Sequence, residues 1–178
     1  GSKRGFYVVF DFFKSLREEW FTLAGLWHTR KIHAQGPGWY DTGYDGIANT
    51  AGAITTPLPQ DKRLLIVLPD TGFRIEGVEP QKRHYQDEQT IHQTRGQHFE
   101  LGETSGFVTV LIPHSAAADP APLAAAVKLL PVAENRGGLA VEVMAGGRRY
   151  VVGAKADLRR DMARDNKRPK YTYEAGKL

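Results

Sequence analysis

Along most of this chain, apolar residues either alternate with polar ones or run together in short blocks bounded by glycine and proline. Both patterns belong to strands. FYVVFDFF (6–13) is aromatic and β-branched, and WFTLAGLWHTRKI (20–32) reads as one long strand. RLLIVLP (63–69) and SGFVTVLIP (105–113) are compact apolar strands, each closed by proline, and HYQDEQTIHQTR (84–95) contains a mostly polar one. GLAVEVMAGGRRYVVGAKAD (138–157) reads as a hairpin turning at Gly146-Gly147. APLAAAVKLL (121–130) is the one credible helix, kept short by its β-branched valine and flanking prolines. Six or more strands at this spacing, without regular intervening helices, predict an all-β fold, an antiparallel β-sandwich with at most one short helix.

With 178 residues the chain is long enough for one domain with its own core. Its 41% hydrophobic and 25% charged residues are ordinary for a globular protein, and no apolar run is long enough to span a membrane. Gly1-Ser2 has the form of a cloning scar, and the closing YTYEAGKL reads as a strand begun. The expectation is therefore one sandwich over residues 3–178, excised from a longer polypeptide. Cysteine is absent, which removes disulfides, thiolate nucleophiles and cysteine-bound zinc. The net charge of +4 favours anionic partners weakly. Much of the excess lies in RRDMARDNKRPK (159–170), where acidic residues are interspersed, and no nucleic-acid reading module accompanies it.

Alternation divides the second strand into two faces. Phe21, Leu23 and Trp27 lie on the face expected to be buried. His28 and Arg30 share the other with Trp20, where a ring and two donors can meet a ligand unless a second sheet covers them. Trp39, Tyr40 and Tyr44 fall in a glycine-rich stretch with Asp41 and Asp45, read as a loop. Large aromatics there either plug the end of the sandwich or meet a ligand. Sugar rings stack apolar faces on such rings, while carboxylates and guanidinium groups take their hydroxyls. The expected ligand-binding set is Trp39, Tyr40, Tyr44, His28, Arg30 and Asp41. An acidic polysaccharide would also draw on Lys31, Arg74, Lys82, Arg83 or Arg95.

The six histidines show no HxH or HExxH spacing, and Gly96 is expected to turn the chain between His92 and His98. No metal and no cofactor is expected. Ser105 and Ser115 lie in no GxSxG elbow, so no catalytic residue is assigned.

In order, YVVFD (7–11), LWH (26–28), LLIVLP (64–69), DEQTIHQT (87–94), GFVTVLIPH (106–114) and the hairpin GLAVEVMAGGRRYVV (138–152) resemble the C-terminal β-sandwich region of heparinase II/III-like polysaccharide lyases. The resemblance covers about residues 6–157 and rests on strand patterns with one histidine and one aspartate. It implies a parent lyase, extracellular or periplasmic, that cleaves uronate-containing glycans by β-elimination in an α/α toroid. Nothing in the chain resembles that toroid, and the family's HN pair is absent. Only the histidine of LWH carries over, as His28. The implied role is a carbohydrate-binding or accessory domain, not active alone, whose partners are an acidic polysaccharide or oligosaccharide and a catalytic domain of the same polypeptide. The alternatives are a purely structural domain docking on the toroid, and a contributor of one histidine to a lyase active site.

Overall fold

The computed structural model describes residues 5–43, 61–69, 75–83, 86–132, 138–162 and 169–176, with twelve strands and one short helix among them. Every pairing is antiparallel. The five-stranded sheet has the order β1 (Tyr7–Lys14), β8 (Thr104–Ser115), β5 (Lys62–Val67), β4 (Trp39–Gly43), β3 (Lys31–Gly36). A three-stranded sheet has the order β2 (Glu19–Thr29), β7 (Gln86–Phe99), β6 (Ile75–Arg83). A four-stranded sheet has the order β12 (Pro169–Gly176), β11 (Arg148–Met162), β10 (Gly138–Ala145), β9 (Val127–Leu130). The fold is thus all-β and sandwich-like, as the strand pattern predicts.

The five-stranded sheet is packed on both faces. On one, Leu65, Val67, Val108 and Val110 meet Val141 and Val143 of β10 and Val127 of β9. On the other, Tyr40, Ile66 and Leu68 meet Ile91 of β7, with Trp27 of β2 against them. Each such aliphatic side chain contributes about 1.5–3 kcal/mol when fully buried. Burial on both faces explains why β5 and β8 read as continuous apolar runs, whereas β2, packed on one face, alternates.

Four expectations change in detail. The long strand of residues 20–32 breaks at Arg30: β2 ends at Thr29 in the three-stranded sheet and β3 begins at Lys31 in the five-stranded one. The strand read as 84–95 runs on to Phe99, straight through Gly96, which sits opposite Thr22. His92 and His98 therefore keep a common face. Helix α1 covers only Pro120–Ala125, capped by Asp119 accepting the Ala121 N–H. The rest of the predicted helix is β9, whose Val127 and Leu129 pair with β10. β8 also runs past Pro113 to Ser115, because its last β1 partner is Leu111 and the missing N–H falls where only β5 is adjacent. No helix among the described residues is long and apolar enough to cross a membrane.

Candidate functional site: the open face of the three-stranded sheet

Register places the outward residues of β2 and β7 in pairs: Trp20 with His98, Thr22 with Gly96, Ala24 with Thr94, Leu26 with His92, and His28 with Thr90. The intervening β2 residues Phe21, Leu23, Gly25 and Trp27 turn toward the five-stranded sheet, and the Trp27 indole N–H donates to Thr109 Oγ1 at 3.3 Å. On the outer side Trp20 is 71% exposed and Leu26 54% exposed. From Trp20 to His28 the strand runs about 26 Å at ~3.3 Å per residue.

The side chains along this strip are ordered by short contacts. The Trp20 and His98 rings meet edge to face at 5.7 Å, and His98 Nε2 lies 3.9 Å from Glu18. The His92 ring lies across Gly77 of β6, where an added Cβ would come within 2.8 Å of Nε2. The same nitrogen is 3.8 Å from Glu79. His28 Nδ1 lies 3.2 Å from Thr90 Oγ1. Small residues at Ala24, Gly77 and Gly96 keep the middle low between the rings. The strip thus offers one large exposed aromatic face, an apolar step at Leu26, and hydroxyl and imidazole groups on either side. This is an arrangement for an extended amphipathic ligand that lies flat.

The aromatic loop expected around residue 40 has a different structure. Residues 39–43 form β4, entered through Pro37 and Gly38 (φ 73°), the residue order of a type II turn. Trp39 packs on the core shared with β10, its ring so close over Gly36 that a Cβ there would fall 2.5 Å from Nε1. Tyr40 is 5% exposed and points to the opposite face, where its hydroxyl donates to Glu76 Oε1 at 2.6 Å. The Gly38 N–H donates to the same oxygen at 3.1 Å, so Glu76 ties β6 to the β3–β4 turn.

Asp41 is fully buried. Its Oδ2 accepts from Arg63 Nη1 at 3.0 Å and its Oδ1 lies 2.9 Å from His114 Nε2, forming a polar ladder across β4, β5 and β8. The other ring nitrogen of His114 lies 2.9 Å from the Ser115 carbonyl oxygen, so both are engaged. Ser115 Oγ instead accepts the Ala117 N–H at 3.3 Å. No serine–histidine relay forms there, and the cluster is a structural clasp.

Of the six expected ligand residues, then, His28 lies on the open strip and Arg30 is half-buried at the step between sheets. Trp39, Tyr40 and Asp41 point inward, and Tyr44 lies outside the described residues, as do Arg74 and His84. Alternation in residues 20–30 puts Trp20 on the His28 face without marking it as a ligand residue, and the turn expected at Gly96 separates His92 from His98. Among the described residues no cluster of three or more His, Asp and Glu could hold a metal ion. At Asp61, in the exposed turn before β5, the hydrogen bond from Lys62 lowers the carboxyl below its ordinary value.

No family model matches the chain, and no curated protein or solved structure matches it either.

Proposed function

We propose that this chain is an accessory glycan-binding sandwich of a polysaccharide lyase, and that it holds acidic, uronate-containing chains along the open face of β2 and β7. The observation that carries the reading is the exposed indole of Trp20, set beside His98 at the head of a strip that continues through Leu26, His92 and His28. A pyranose ring stacks its apolar face on the indole, and its hydroxyls pair with imidazole and threonine groups. The net charge of +4 favours an acidic chain over a neutral one. Electrophoresis through gels containing a uronate-rich or a neutral polysaccharide tests this. Retardation is expected in the uronate gel, and Trp20→Ala should remove it while Trp39→Ala, if folded, keeps it. Equal migration in both gels removes the reading.

A second reading, docking on a catalytic domain, is favoured by a separate observation. Leu16 and Leu101 are exposed on neighbouring turns joined by backbone bonds from Ser15 to Glu103 and from Gly102 to Ser15. Leu101→Asp separates the two readings, because it leaves glycan retardation intact and disrupts only a docked assembly.

A further inference from the structure

At one end of the molecule the three sheets meet around a cleft of about 770 Å³, within the range of small-molecule sites. β7 supplies Arg95 and Gln97, the turn into β8 supplies Glu103, and β8 supplies Ser105. β1 and β10 supply an apolar wall with Phe12 and Leu139. The polar side is one connected chain. Arg95 Nη1 donates to Ser105 Oγ at 3.2 Å, Ser105 Oγ donates to Gln97 Oε1 at 3.3 Å, and Gln97 Nε2 donates to Glu103 Oε1 at 2.9 Å. Glu103 Oε2 accepts the Glu100 N–H at 2.9 Å. The guanidinium carbon of Arg95 lies over the Phe107 ring, 5.8 Å from its centroid, within cation–π range.

We propose that this cleft binds a small hydroxylated organic acid, its carboxylate on Arg95 and its less polar face on Phe12 and Leu139. A guanidinium matches a carboxylate in shape as well as charge, and one already held by a hydroxyl and a ring loses little side-chain freedom on binding. Glu103 has the same sign as the ligand's carboxylate, which is therefore placed at the Arg95 end of the chain, with Ser105 and Gln97 between it and Glu103. Its two oxygens accept from Gln97 and from the Glu100 backbone, and a carboxylate keeps further lone pairs for a ligand hydroxyl. Glu103 therefore selects an acid that also carries hydroxyls. The site is separate from the Trp20 strip and stands or falls independently of the polysaccharide reading.

Amide chemical-shift titration of the full chain with glucuronate, cyclohexanecarboxylate and glucose tests it. Saturable shifts at Ser105, Gly106 and Leu139 are expected with glucuronate and not with glucose. Weaker binding of cyclohexanecarboxylate assigns the site to a sugar acid, whereas equal binding assigns it to organic acids at large and removes the role given to Glu103. Arg95→Gln should weaken the glucuronate response about tenfold or more. Leu129→Glu, which places a negative charge on a partly exposed rim residue away from the Arg95 network, should do the same with an unchanged melting temperature. Trp20→Ala should leave it unaltered. No saturable shift with either acid, equal binding of glucose, or an unchanged response in folded Leu129→Glu overturns the proposal.

Discussion

Asp41 sits with no solvent exposure between the half-buried Arg63 guanidinium and the His114 ring, and its carboxylate holds both in place. Removing one member of such a cluster strands the remaining charge, at about 3–5 kcal/mol. Asp41→Ala is therefore expected to lose about 3 kcal/mol or more in urea unfolding at neutral pH, and a loss below about 1 kcal/mol would show that the clasp is dispensable. The tryptophans divide in the same measurement. Trp27→Ala should cost about 3 kcal/mol, because its ring packs on the core and its indole N–H reaches Thr109. Trp20→Ala should stay within about 0.5 kcal/mol of the parent, as surface substitutions do. Their opposite faces are legible in the alternation of residues 20–28. The inward turn of Tyr40 and Asp41 is not, because their partners Glu76, Arg63 and His114 come from remote strands that no local pattern identifies.

At the scale of elements, glycine decides how closely strands approach. Gly106 of β8 faces Phe12 of β1, and a Cβ there would fall 2.5 Å from the Asp11 carbonyl oxygen. Backbone cannot swing aside, so Gly106→Ala should force the β1–β8 pair apart and cost about 1–3 kcal/mol in thermal or urea unfolding. Gly77→Ala meets only the tip of the His92 ring, which can rotate away, so it should disturb the open strip more than stability. A stability loss from Gly77→Ala as large as that from Gly106→Ala would contradict this distinction. The strands with long apolar runs, β1, β5 and β8, are readable from sequence. β4 is not, because Gly36-Pro37-Gly38 and Gly43 give it the composition of a loop, although the Pro-Gly order marks a tight turn between strands. The short helix is overestimated for a related reason. Alanine and leucine at 123–130 favour helix locally, but pairing of Val127–Leu130 with β10 overrides that preference.

At the largest scale, the governing fact is that, among the described residues, the five-stranded sheet is covered on both faces while the three-stranded sheet is covered on one. Continuous apolar runs announce two-sided burial and alternation announces one-sided burial, so the sandwich-like class follows from pattern alone. Alternation gives two faces but does not say which neighbour covers either. That is why the expected site fell on the glycine-rich stretch near residue 40 rather than on the strip beginning at Trp20. The strip is the centre of the functional account, and calorimetric titration of a uronate-rich polysaccharide into the parent chain and into Trp20→Ala tests it most directly. Saturable binding is expected, weakened roughly tenfold to a hundredfold in the variant by the loss of about 1.5–3 kcal/mol from one buried aromatic contact. No heat of binding to the parent chain, or equal affinity in a folded Trp20→Ala, would contradict it.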